Sequence, residues 1–288
     1  MWPLDPPVLS ARESYEACVR GTRDPQRKVL LLAAGDRVEA AGERFRLAAR
    51  QGRLHALDGA EFTVPGMSSG DVVRWAYENG MVNTRDGRAV YDRLMAAPAD
   101  ERCPLCGQGV VRTLDHFLPK RMFPALCVDP LNLVPACADC NHAKGEGLPS
   151  GADTTPLHPY LDRIDQDPWL EARVVDGSPV RLDFFVSPLP GWEQVLIERT
   201  RHHFALFQLA RLFAIQANRT VNNIRQQLTA LLDAGGKVTV RAYLADEAET
   251  RLAHRLNGWE GVTYRALARD DAFCSGAFDL TRPAVHPS

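Results

Sequence analysis

The 288 residues are 45% hydrophobic and 24% charged, the proportions of a folded protein with a buried core, which excludes collagen, coiled-coil and disordered classes. Basic residues number 34 against 36 acidic ones, so the chain has no overall surplus of positive charge of the kind that phosphate neutralisation usually draws on. The longest aliphatic run, Val29 to Ala34, falls far short of the ~20 residues of a membrane helix. The opening string MWPLDPP lacks the basic-then-apolar pattern of a secretory signal, so no membrane partner and a cytoplasmic location, poor in disulfides, are expected.

Taken in chain order, residues 1–100 contain no chemical motif and read as a helical region. Helical segments are predicted at Tyr15–Arg20, at Arg27–Arg50 with interruptions at Gly35 and Gly42, from Gly70-Asp71 through Tyr77, and at Asp86–Ala97. Residues 101–165 form a central segment with paired cysteines. Residues 166–288 open with Trp169–Val175 and Val180–Val186 around Asp176-Gly177, which predicts a β-hairpin. The period then changes: Leu206, Leu209, Ala210 and Phe213, followed by Val221, Ile224, Leu228, Leu231 and Leu232, form one apolar stripe down to a stop at Gly235-Gly236. That stripe predicts one long helix or two stacked ones, with an apolar face that enters the core or seats a partner or a second subunit. The Pro-containing ends, 1–9 and 281–288, are expected to fray.

Four of the seven cysteines form two C-x2-C pairs, Cys103/Cys106 in CPLCG and Cys137/Cys140 in PACADC. A two-residue spacer turns both thiolates toward one ion, so two such pairs in a reducing compartment predict a structural Zn2+ site. Pro104 and Gly107 suit the turn, one by a fixed φ and the other by tolerance of positive φ. The spacer between the pairs exceeds that of a simple zinc ribbon, so further structure is folded between them. There, Val110 to Leu114 reads as extended and ends at Asp115-His116, and Pro119, Pro124, Pro130 and Pro135 break any helix. Leu131 to Val134 reads as a second strand, and Asn141, His142 and Lys144 fall on a short helix that stops by Gly145 or Gly147. The order is strand, loop, strand, helix.

Asp115-His116 with Pro119-Lys120, Asn132-Leu133-Val134 and Cys140-Asn141-x2-Lys144-Gly145 together resemble an HNH endonuclease of the ββα-metal type, including its four-cysteine zinc knuckle. The resemblance covers residues 103–145. It implies an α+β fold, mostly helical with a central ββα-metal core, and a phosphodiesterase in which His116 is the general base and Asn132 holds the loop that orients it. Asp115 and Asn141 would then bind one Mg2+ or Mn2+, and the resemblance favours DNA over RNA as substrate. The chemistry agrees: an imidazole has a pKa suited to activating water near neutral pH, and hard oxygen ligands select Mg2+ or Mn2+. His142 is the alternative ligand to Asn141, because consecutive helical residues point ~100° apart and only one of them faces an ion shared with Asp115. Lys120, Arg121 and Lys144 are candidate phosphate contacts, each equally readable as a solvated charge. The string LDHFLPKRMFPAL, with Leu157 to Asp162, also resembles a subgroup of HNH proteins found near bacterial antiphage systems, some beside an ABC-type ATPase.

Two carboxyl-to-imidazole neighbours on a regular strand would face opposite ways, so Asp115 and His116 are expected where the strand ends. The competing reading of the whole segment is a non-catalytic zinc module that recruits another protein. His158 reads as loop packing, and His202-His203 are too close in sequence to be paired ligands on one helix. The tryptophans Trp75, Trp169, Trp192 and Trp259 show no regular spacing and read as core.

Overall fold

The computed structural model of the chain describes residues 1–175, 177 and 180–279. It is α+β and mostly helical, with two small two-stranded sheets, and it divides into two compact units at Arg163/Ile164. In the first unit, α1 (Ala11–Val19) opens with a capping box, in which the Ser10 hydroxyl accepts from Glu13 N while Ser10 N donates to the Glu13 carboxylate at 2.8 Å. Asp24 caps α2 (Pro25–Ala33), whose first residue is a proline that has no N–H to lose there. The predicted break at Gly35 is the start of α3 (Gly35–Arg50). Gly42, by contrast, does not interrupt that helix: a Cβ there would lie 2.6 Å from Ala11 Cβ and 2.9 Å from Asp129 Oδ2, so the glycine serves close packing rather than a turn.

Ser68 caps α4 (Ser69–Val72), which passes without a break into a π-helix over Val73–Met81. Thr84 then caps α5 (Arg85–Met95). Helices α1 and α5 pack against the π-helical turn, and α1 also packs on α3. Tyr15, Phe45, Phe62 and Met81 are among the side chains this arrangement removes from water.

Strands β1 (Thr113–His116) and β2 (Leu133–Ala136) pair antiparallel, with Asp115 opposite Val134 and His116 opposite Leu133. Both strands begin two or three residues later than the apolar runs predict. Val110 is engaged instead in an isolated bridge with Arg102 inside the first cysteine turn. Pro135 is accepted within β2 because that strand has a single neighbour. His116 is the last residue of β1, where the ladder gives way to the loop. After the second cysteine pair begins, α6 (Ala138–Lys144) runs for two turns and ends at Gly145, which takes the positive φ of 64° that stops the helix. Helix α5 packs on both strands, and α3 packs on the turn at Pro124–Leu126.

In the second unit, β3 (Leu170–Val175) and β4 (Arg181–Val186) form the predicted antiparallel hairpin, with Leu170 opposite Val186 and Val175 opposite Arg181. Asp176 of its expected turn lies outside the described residues, as do 281–288. Helix α7 (Gln194–Leu206) precedes α8 (Leu209–His254), which bends at Gly236, where φ is 69° and ψ is −167°. The apolar stripe thus belongs to two helical segments, and the expected stop at Gly235-Gly236 is a bend after which the helix resumes. Helix α9 (Trp259–Arg269), for which the sequence predicts no element, packs along α8 and β3. Its side chains are buried nearly all round, including Val262, Thr263, Tyr264, Ala266 and Leu267. Trp169 and Trp259 are core residues, whereas Trp75 is half-buried beneath Arg27 and Trp192 is half-buried with its indole N–H on Asp167. No described helix is long and apolar enough to cross a membrane.

Candidate metal centre and adjoining cavity

The Sγ atoms of Cys103, Cys106, Cys137 and Cys140 all lie within 4.8 Å of one another, and all four residues are buried. A tetrahedral Zn2+ with Zn–S of ~2.3 Å has S–S edges of about 3.8 Å, and Cys106 and Cys137 stand 3.9 Å apart. Backbone N–H groups of Gln108 and Gly109 point at Cys106 Sγ, each at 3.4 Å, and that of Cys140 points at Cys137 Sγ at 3.5 Å. Such donors favour thiolate over thiol. Hydrogen bonding from Cys103 and the other cysteines, with Gly109 N–H adding to it, holds the Cys106 thiol far below its ordinary range. Two glycines make the geometry possible: Gly107 has φ of 71°, and a Cβ at Gly109 would lie 2.6 Å from Cys137 Sγ. Donor type, spacing and burial therefore fit a zinc ion.

Beyond the cysteines lies a cavity of about 500 Å³ whose wall includes Tyr77, Asp115, His116, Lys120, Asn141 and His142. Asp115 is only 4% exposed, and its two oxygens differ. Oδ1 accepts from Lys144 Nζ at 3.1 Å, while Oδ2 is buried without a hydrogen-bond partner. Burial raises the Asp115 pKa to about 6, against the pull of Lys144. Asn141 is half-buried, and its Nδ2 donates to Thr113 Oγ1 at 3.0 Å, which leaves the carbonyl oxygen of the amide uncommitted. Both residues line the cavity, and carboxylate and amide oxygens are hard donors of the type that Mg2+ or Mn2+ takes. His142 lines the same cavity from a more exposed position on α6.

His116 Nε2 lies 2.8 Å from the carbonyl oxygen of Cys127. Asn132, fully buried, ties the same loop together: Oδ1 accepts from Leu118 N at 2.7 Å, and Nδ2 donates to the oxygens of Leu118 at 3.1 Å and Leu126 at 3.2 Å. Burial pushes the His116 pKa down to about 3, and the Lys120 and Lys144 charges push the same way. The imidazole is accordingly neutral at physiological pH, and it is a weaker base than the near-neutral imidazole expected from sequence, because burial disfavours its charged form.

The three cations named from sequence are placed differently from one another. Lys120 lines the cavity, and Arg121 is exposed outside its wall. The Lys144 side chain is 6% exposed, and its ammonium is spent on Asp115 Oδ1, on His116 O at 2.8 Å and on Gly145 O at 3.3 Å. His158 is buried among Phe45, Phe117 and Tyr160, its ring 4.3 Å from that of Phe117. His203 is buried on α7, and its neighbour His202 is half-buried. Two further participants carry no sequence signal. Tyr77 comes from the N-terminal helices, where nothing in WAYENGM singled it out, and Cys127 contributes a backbone carbonyl, which no side-chain pattern can announce.

Among known proteins, the chain is similar to Protein ea31 of Escherichia phage lambda, with 28% identity over 239 residues that cover 78% of this chain and 80% of that protein. No family model matches the chain. No solved structure matches it.

Proposed function

We propose that the first unit is a metal-dependent phosphodiesterase of the HNH type acting on nucleic acid, with DNA favoured over RNA by the resemblance of its motifs. The observation that carries the reading is the buried, half-satisfied Asp115 carboxylate at the end of β1, beside an imidazole of fixed tautomer on one cavity wall. Asp115 Oδ2 and the Asn141 amide oxygen would hold the catalytic Mg2+ or Mn2+, and the four cysteines a structural Zn2+. When bound, the divalent ion supplies positive charge to the scissile phosphate and to the leaving oxygen.

The chain's own residues do the rest. A carbonyl only accepts, so His116 Nε2 carries the proton in its contact with Cys127 O, and the lone pair is left on Nδ1. Nδ1 takes the proton of the attacking water. Asn132 fixes the loop that holds Cys127 O, and so orients the base without touching substrate. Lys144 balances the Asp115 charge from inside, and Lys120 stands on the cavity wall for the phosphate. A role in antiphage defence beside an ABC-type ATPase, or as a homodimer, rests on the LDHFLPKRMFPAL string and the apolar stripe alone.

The Lys144–Asp115 ion pair favours a second reading, a zinc module without catalysis, because an internal ammonium already neutralises the carboxylate. Incubating the protein with supercoiled plasmid, and separately with total tRNA, in Mg2+ or Mn2+ with and without EDTA separates the two. Metal-dependent cleavage is expected, and a folded His116→Ala protein should lose about 100- to 10,000-fold of it. Undiminished cleavage by that variant would remove His116 as the base, and no cleavage by the native chain would leave the zinc module.

A further inference from the structure

We infer that Tyr77, delivered by the N-terminal helices, is a positioning residue of the candidate site that holds the His116 imidazole and the Lys120 ammonium on one wall of the cavity; the inference rests on the nuclease reading and deepens it.

Tyr77 lies within the π-helix Val73–Met81. A π-helix is a costly conformation that recurs at functional sites because it shifts the direction of the side chains it carries. The Tyr77 ring meets the His116 ring edge to face, with centroids 4.7 Å apart and planes at 68°. The same ring receives Lys120, whose Nζ lies 4.7 Å from its centroid. All three side chains line the cavity that holds Asp115 and Asn141.

This tyrosine touches both an imidazole and an ammonium at the rim of a polar cavity. Lys120 has no carboxylate partner among the described residues, so the ring face is what restrains its long side chain. His116 is restrained at Nε2 by the Cys127 carbonyl on one side, and the Tyr77 ring meets the imidazole from another. The edge-to-face contact thus adds a second restraint on the ring. The contacts come from the ring and not from the hydroxyl, so phenylalanine should replace tyrosine and an aliphatic side chain should not.

The test compares native protein, Tyr77→Phe, Tyr77→Leu and Lys120→Ala, and the double variant Tyr77→Leu/Lys120→Ala, on supercoiled plasmid in Mn2+, with melting temperatures recorded for each. Tyr77→Phe is expected to keep kcat and KM within about twofold of native. Tyr77→Leu is expected to lose about 10- to 100-fold in kcat through misplacement of the base, and to raise KM as much as Lys120→Ala does. The double variant should raise KM no further than Lys120→Ala alone, because both changes release the same cation. Should Tyr77→Leu fail to fold, Tyr77→Met fills similar space without a π-face and carries the same expectations. Native kcat in a folded Tyr77→Leu or Tyr77→Met protein, or loss in Tyr77→Phe equal to that in the aliphatic variant, overturns the inference while leaving the nuclease reading intact. Absence of metal-dependent cleavage by the native chain removes that reading, and the inference falls with it.

Discussion

Two neighbours on α6 compete for the second ligand position, and their surroundings differ in a way that chemistry can read. Asn141 is half-buried and braced by Thr113, whereas His142 is exposed. If the amide oxygen is the ligand, Asn141→Ala shifts the Mg2+ or Mn2+ activation curve to higher concentration, as Asp115→Ala does, and His142→Ala acts mildly. An imidazole ligand would instead favour transition metals, with activation by Ni2+ or Zn2+ where Mg2+ fails. Activity against metal concentration for the two single variants decides between them. A different carboxylate, Asp129, titrates for structural reasons. It is 2% exposed, with Oδ1 accepting from Leu131 N at 2.9 Å and Oδ2 unpartnered, and burial raises its pKa to about 6. The folded state then holds this proton more tightly than the unfolded chain does, so the contribution to stability is full below about pH 4 and is lost as pH rises through 6. Asp129→Asn should remove that slope, and the difference in unfolding free energy between variant and native should grow by up to about 3 kcal/mol from pH 4 to pH 8. Equal pH dependence of the two proteins in urea titrations would show that Asp129 is ionised at no cost.

Among the elements, the junction of the π-helix with α5 depends on two glycines that meet backbone to backbone. A Cβ on Gly87 would lie 2.4 Å from Gly80 O and 2.7 Å from Met81 Cα, and backbone atoms cannot move aside as a side-chain tip can. Gly87→Ala is therefore expected to cost about 1–3 kcal/mol, read by chemical denaturation, whereas Gly147→Ala, with nothing within 4 Å of its Cβ, should be neutral. This contact also marks the limit of what sequence could disclose. The two C-x2-C pairs were legible because metal ligation demands fixed donors at fixed spacing, and the β3–β4 hairpin because alternation and a turn coincide. The Asp115-His116 pair was legible as chemistry, but the start of β1 was not, since Val110 serves a bridge to Arg102 that periodicity cannot distinguish from a strand. The π-helix was illegible because the same residues read equally well as an α-helix, and its wider turn is set by packing against α1 and α5.

At the scale of the molecule, the first unit closes on itself through parts far apart in sequence. Trp2 N donates to Pro104 O at 2.7 Å, the Trp2 ring covers Gly107 beside the cysteine cluster, and Leu4 N donates to Pro159 O at 2.9 Å. Ser14 Oγ donates to Val128 O at 2.6 Å, and the rings of Phe62 and Phe123 meet at 5.1 Å. Helices α1, α3 and α5 thus cover the segment that carries the cysteines, and its Phe123 and Val128, now buried, would face water without them. Exposing such side chains costs about 1.5–3 kcal/mol each, enough in sum to exceed the stability of a small domain. A fragment of residues 1–163 should therefore fold cooperatively with one tightly bound zinc per chain, whereas residues 101–163 alone should not fold even with zinc supplied. Structural zinc contributes ~10–16 kcal/mol in finger peptides, so Cys103→Ser in the longer fragment should abolish both the metal content and the thermal transition. Elemental analysis, circular dichroism and melting of the three proteins carry the test. A well-folded 101–163 fragment would show that the helices are a cover and not part of the core, and zinc far below one per chain in a folded 1–163 fragment would show that the cysteine cluster holds together without the ion.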